Sequence, residues 1–200
     1  MSDARSAALD VLLRVDEDGA WADRALATAA ARARLEARDR ALAARLAAGA
    51  VKGRRLLDAA VEALADRDPA KLDPVSRAVV RLGACQLLLL DRIPDHAAVS
   101  TSVDLVRRRR GAGAAGLVNA LLRRVAAGGR AWVESLPDAT AADAALRRSY
   151  PDWIAEAWWA AYGADAARWV NSRKDLRLRG ICAIVVTSGT VASGDVISKL

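Results

Sequence analysis

The sequence predicts an all-α protein: a bundle of about seven helices, then short connector helices and a candidate β-hairpin tail. Three observations predict it. Alanine, leucine and arginine dominate, and all are strong helix formers. Phenylalanine is absent and aromatic residues make up only 4%, which argues against an all-β core. Apolar residues recur at three- and four-residue spacing along most of the chain, the period of helices that each bury one face.

The expected elements follow in order. Ala4 to Val15 carries a stripe of Ala8, Leu9, Leu12 and Leu13, and the run from Asp16 to Gly19 stops it. Ala22 to Ala33 is a short helix. Ala37 to Lys52 places Leu42, Leu46 and Ala50 on one side, and Gly53 closes it. Leu56 to Ala65 uses Leu57, Val61 and Leu64, and Pro69 marks the break after it. Asp73 as N-cap with Pro74 in the first turn opens Val75 to Leu90. That helix is apolar almost all round and belongs at the centre of a bundle. The next opens at Pro94 and Asp95 and ends in Arg107–Arg110; a glycine-rich loop, Gly111 to Gly116, leads to a seventh helix, Leu117 to Ala127, ended by Gly128 and Gly129. Ala139 to Arg148 and Asp152 to Tyr162 are the connector helices. Four of the six tryptophans, Trp153, Trp158, Trp159 and Trp169, fall there or just after. From about Asn171 alanine nearly vanishes, and 180–187 and 189–197 read as two strands joined at a Ser-Gly turn. The division expected is 1–130 helical bundle, 131–170 connector, 171–200 atypical tail.

The totals exclude several classes. With 200 residues, 54% hydrophobic and 28% charged, the chain has the composition of an ordinary soluble globular protein and enough length for its own core. Cys85 and Cys182 form no CxxC pair and no ligand cluster, so neither a zinc site nor a disulfide framework is expected. The opening residues lead straight into a charged amphipathic helix, so no signal peptide is expected, and the longest apolar run, Leu87–Leu90, is too short to span a bilayer. A cytoplasmic location and no membrane partner are expected. The net charge of +7 favours a polyanionic partner or, equally, a solvated arginine-rich surface.

Asp39-Arg40-Ala41-Leu42 and Gly49-Ala50-Val51 resemble the third helix of NusB-like domains. Leu72 to Leu87 resembles their central helix, Ile93 and Pro94 with Ala97-Ala98-Val99 the opening of the sixth, and Leu117 to Arg124 the final helix with its VNA-LLR signature. The resemblance covers roughly residues 4–130. Ser149 to Ile154, then Trp158, Tyr162 and Gly163, resemble the connector of the subfamily that forms the N-terminal part of the ribosomal RNA small subunit methyltransferase B (Sun) enzymes, which make 5-methylcytosine. Free NusB is instead an antitermination factor that binds an RNA element with a ribosomal protein. The resemblance to the methyltransferases implies ribosomal RNA as partner, with a methyltransferase domain, a ribosomal protein or a second copy as further candidates. The catalytic half should follow Val170, yet no glycine motif for S-adenosylmethionine follows a strand and no Pro-Cys or Thr-Cys pair occurs. Neither methyl transfer nor a cofactor is therefore carried over to this chain; S-adenosylmethionine enters only if a catalytic domain is supplied elsewhere. A fusion, truncation or frameshift junction is expected near Asn171. Arg179-Gly180-Ile181, Gly189-Thr190-Val191 and Gly194-Asp195 resemble the last strands of a MOSC domain, a type associated with molybdenum cofactors, and no activity follows from so short a match.

Candidate RNA contacts are Arg5, Arg14, Arg107, Arg108, Arg109, Arg110, Arg123 and Arg124. From Asp104 to Arg130 there are seven arginines against one acid. Arginines at a helix end reach phosphates bidentately, or else satisfy the helix's last carbonyls and oppose its negative pole. The resemblance points to Arg5, but its place beside Leu9 and Leu12 also lets it lay its stem on the core. Arg77 and Arg81, one turn apart on the central helix, need partners if buried, and Asp58, Asp91 and Asp104 are the candidates. Asn119 is expected to hold a hydrogen bond between helices. Gly111 to Gly116 spells GxGxxG but follows a helix, not a strand, so no dinucleotide site is read there. His96 is expected to cap a helix or lie on the surface. Trp153, Trp158, Trp159 and Tyr162 stack on bases, pack on the bundle, or meet another domain. No catalytic residue and no metal ligand is proposed.

Overall fold

The structure, a computed structural model, describes residues 4–172. Nine α-helices run through those residues: α1 Ala4–Asp18, α2 Ala22–Arg32, α3 Ala37–Lys52, α4 Arg54–Ala65, α5 Pro74–Leu89, α6 Asp95–Arg110, α7 Ala112–Ser135, α8 Ala141–Arg148 and α9 Asp152–Ser172. A single 3-10 turn, Pro69–Lys71, joins α4 to α5. The described residues are all-α, as the sequence predicts for the bundle and connector. The candidate hairpin, its MOSC-like strands and the junction near Asn171 lie at or beyond the end of the described residues.

Two compact units divide after Ser135. In the first, α5 is the axis, and Ala78 to Leu87 is buried without a break. Helices α1, α3, α4, α6 and α7 all pack on it. Its start is fixed locally: the Asp73 carboxylate accepts the Ser76 amide at 3.2 Å and Pro74 takes the first turn. Burial in the middle of α5 leaves no room for charge except where it is paired, as at Arg81.

Helix α7 corrects the sequence reading at both ends. The glycine-rich run is not a flexible loop: Gly111 alone makes the turn, at φ 86, and α7 begins at Ala112. A left-handed φ at that one position suits glycine, and the remaining residues of the run have good helical neighbours. Nor do Gly128 and Gly129 end the helix, which runs on to Ser135. Gly129 is buried where α7 crosses α5, and a Cβ there would stand 2.5 Å from Leu88 Cδ2. Gly128 lies against Leu64 of α4, and packing on α4 and α5 outweighs the poor helix propensity of the pair. The first compact unit ends with this helix, at Ser135.

The second unit holds α8 and α9. Thr140 and Asp143 form a reciprocal capping box: the Asp143 amide donates to Thr140 Oγ1 at 3.2 Å, and the Thr140 amide donates to Asp143 Oδ2 at 2.9 Å. These bonds hold the Asp143 carboxyl below the usual carboxylate range. Ser149 closes α8 at φ 60, Arg147 donates to the Leu136 carbonyl, and α9 bends at Gly163 (φ 70), just beyond the expected helix end. Tyr150 packs edge-on against Trp158, with ring centroids 5.2 Å apart, whereas Trp153 is exposed. Packing within this unit is thus one role of the aromatic cluster.

Candidate nucleic-acid interface

The start of α1 and the end of α6 bring basic side chains together. Arg109 reaches from α6 to α1, where its Nη2 donates to Asp10 Oδ1 at 2.7 Å and to Ser6 Oγ at 3.1 Å. Ser6 and Asp10 are one turn apart and so share a face of α1. Arg107 pairs with Asp104 within its own helix at 2.8 Å. Arg110 Nε lies 3.3 Å from Asp73 Oδ1, the cap of α5. Burial would raise the Asp73 carboxyl, but the hydrogen bonds from Ser76 and the nearby Arg110 guanidinium outweigh it and hold the group below its ordinary value. Arg108 is exposed in the same turn. Arg5, next to Ser6, is half-buried and donates from Nε to Gln86 Oε1 at 2.9 Å; Gln86 is itself buried and anchored to the Leu82 carbonyl. Arg5 therefore turns toward α5, next in sequence to the Ser6 that Arg109 reaches.

Of the candidates, Arg109 is tied to α1, through Ser6 and Asp10 beside Arg5; Arg107, Arg108 and Arg110 share its turn of α6, and the other three lie elsewhere. Arg14 stands nine residues along α1 from Arg5, roughly 13 Å at a helical rise, and pairs loosely with Asp18 at 3.9 Å. Arg123 lies well down α7 and donates to Asn119 Oδ1 at 3.2 Å. The hydrogen bond shown for Asn119 is therefore within α7, not the expected bridge between helices. Arg124 donates to the Ala65 carbonyl at 3.2 Å, closing the end of α4, which is a structural role.

Arg81 is also structural. Its Nε and Nη2 grip Asp58 at 2.8 and 2.7 Å, and its Nη1 reaches Asp16 at 2.6 Å. Burial would lower its pKa, but the two carboxylates raise it above the ordinary value. Arg77 and Arg54 also face Asp16, at 3.9 and 3.4 Å. Of the expected partners only Asp58 takes part; Asp91 pairs with Arg130 and Asp104 with Arg107. Asp16 belongs to the acidic run read as the stop of α1, which instead forms its last turn, and no local signal marks Ser6, Asp10 or Gln86 as partners of distant arginines. Trp21, 54% exposed at the start of α2, is an aromatic surface that the linear pattern does not single out.

Other chemistry finds little support. Burial pushes the Cys85 thiol up to about 12 against the pull of Arg45, so a thiolate nucleophile is disfavoured there. His96 is exposed at the start of α6, as expected. Among the described residues no His/Cys/Asp/Glu group could hold a metal ion, and no helix is long and apolar enough to cross a membrane.

An all-helical bundle built on a buried axial helix, with arginines collected where α1 begins and α6 ends, defines a class of helical module with a basic end. The family model for NusB matches residues 2–127, and the chain belongs to the NusB family. It is 41% identical over 159 residues to the ribosomal RNA small subunit methyltransferase B of Thermus thermophilus, across 80% of this chain and 36% of that protein. It is 35% identical over 129 residues to the transcription antitermination protein NusB of Clavibacter sepedonicus, across 62% of this chain and 93% of that protein. A crystal structure of the antitermination factors NusB and NusE in complex with dsRNA shares the fold at TM-score 0.59 and 23% identity, covering 64% of this chain and 96% of that one. The chain spans about a third of the length of the methyltransferases it matches.

Proposed function

We propose that this chain is the RNA-binding module of a ribosomal RNA small subunit methyltransferase of the 5-methylcytosine type, a part that binds and does not itself catalyse. The observation that carries this reading is the reach of the similarity. The match to the methyltransferase takes in 80% of the chain, too much to fit within the first unit, so it extends into the unit that holds α8 and α9. The match to NusB takes in 62%. On this reading the basic end meets phosphates of folded RNA through Arg107–Arg110 with Arg5 at its edge, by charge and shape more than by base reading. S-adenosylmethionine, the methyl donor, belongs to a catalytic domain and not to the residues described, whose GxGxxG run opens α7 after a helix and offers no strand–loop–helix cradle.

The test is affinity for a small-subunit ribosomal RNA hairpin and a scrambled control across a salt series. Preference for the hairpin with a steep salt slope is expected. Replacing Arg107–Arg110 by alanine should weaken binding roughly tenfold or more at low salt and flatten the slope by about two units or more. An unchanged affinity and slope would remove this patch from the reading. Equal binding of both RNAs would reduce the chain to a generic polyanion binder, and no binding at low salt would make it a protein-interaction module. Recovery of a small ribosomal protein together with a transcript leader would support an antitermination role instead.

A further inference from the structure

At Arg109 the protein has placed its own acceptors where a phosphate would bind. A guanidinium offers two edges to a bidentate acceptor, one formed by Nε and Nη2 and the other by Nη1 and Nη2, so Nη2 belongs to both. In this structure both Nη2 hydrogens are taken, one by Asp10 at 2.7 Å and one by Ser6 at 3.1 Å. Among the described residues Arg109 makes no other hydrogen bond, which leaves Nε and Nη1 with their donors unused. The Arg109 and Asp10 side chains are each 38% exposed, so water and ligand reach the pair. A phosphate can therefore touch Arg109 through one donor as it stands, but it forms a two-point fork only by displacing the Ser6 hydroxyl or the Asp10 carboxylate.

We propose that Asp10 is a built-in competitor for phosphate at Arg109 and sets how selectively the basic end binds RNA. This rests on the RNA-binding reading above. Displacing the neutral hydroxyl of Ser6 still leaves the incoming phosphate beside the Asp10 carboxylate, and two like charges at that range repel. Asp73 beside Arg110 and Asp104 beside Arg107 extend the same arrangement to the neighbouring arginines. A flexible strand that offers phosphates one at a time gains little from arginines already paired. A folded RNA that presents several phosphates at fixed spacing engages the arginines together and overcomes the competition. Asp10 is thus a selectivity residue, acting through Arg109.

The test compares wild type, Asp10→Asn, Arg109→Ala and the double variant, binding a small-subunit ribosomal RNA hairpin and polyuridine in a salt series. Asp10→Asn keeps the shape and one acceptor oxygen but removes the charge, and thermal unfolding checks that each variant folds. Asp10→Asn is expected to raise affinity for polyuridine about three- to tenfold at low salt, with a smaller gain for the hairpin, so the preference for the hairpin narrows. The gain should vanish in the Arg109→Ala background. Weaker binding by Asp10→Asn would make the residue an orienting support and overturn the proposal, as would a gain that persists without Arg109. Salt-dependent RNA binding that Asp10→Asn leaves unmoved removes this inference and spares the RNA-binding reading; absence of binding by every variant removes that reading and this one with it.

Discussion

Arg81 donates through three nitrogens to carboxylates on two other helices, Asp58 of α4 and Asp16 of α1. Removing it strands the partly buried Asp58 and leaves Asp16 with only the looser Arg54 and Arg77. Arg81→Met is expected to cost about 3 kcal/mol in urea denaturation, because the cost of unpaired charge exceeds that of the lost contact. A change below about 1 kcal/mol would show that water satisfies Asp58 and that Arg54 and Arg77 suffice for Asp16. Asp73 lends itself to a pH experiment. Its folded pKa lies below the unfolded value, so its contribution is complete above the unfolded pKa of about 3.8 and is lost as pH falls through the folded value. Asp73→Ala should cost about 1 kcal/mol near neutral pH through loss of the cap. The gap between wild type and variant should narrow only below about pH 3.8, as acid unfolding followed by circular dichroism would show. Partners such as Asp58, close to what the sequence suggests, are legible because a buried arginine demands an acid. Asp16 was not, because its role depends on where α1 ends relative to α5.

Among the elements, α7 shows why glycine misleads a linear reading. Gly83 of α5 faces Leu122 of α7, and a Cβ there would lie 2.8 Å from Leu122 Cδ2 and closer still to Cδ1. Leu122 is fully buried and has nowhere to move. Gly83→Ala should therefore destabilise by about 1–2 kcal/mol despite the better helix propensity of alanine. Gly116, on the exposed face of α7 with open space around it, should respond in the opposite sense, and Gly116→Ala is expected to stabilise by up to about 1 kcal/mol. Thermal melts of the pair check both signs together. The same residue type thus marks a close helix crossing in one case and bare solvent-facing backbone in the other. Periodicity finds the helices, since α3 occupies the expected residues and α5 and α6 do so to within one, but it does not say which glycines are crossings.

At the scale of the whole molecule, every member of the contiguous buried core, from Ala4 to Val125, lies in the first unit, as does the basic end. A fragment covering residues 1–135 is expected to unfold in one cooperative transition and to keep the RNA affinity of the whole chain to within about twofold; a molten fragment or a large loss of affinity would place part of the core or of the interface in the second unit. The sequence by itself determined the all-α class, the central place of α5 and the arginine-rich close of α6, because apolar period, capping residues and charge runs act over one or two turns. Only the tertiary structure decided which arginines share a surface, which are consumed in pairs and which acids face them. Those pairings join residues such as Asp10 and Arg109, 99 positions apart in sequence, and depend on helix crossings that local pattern does not encode.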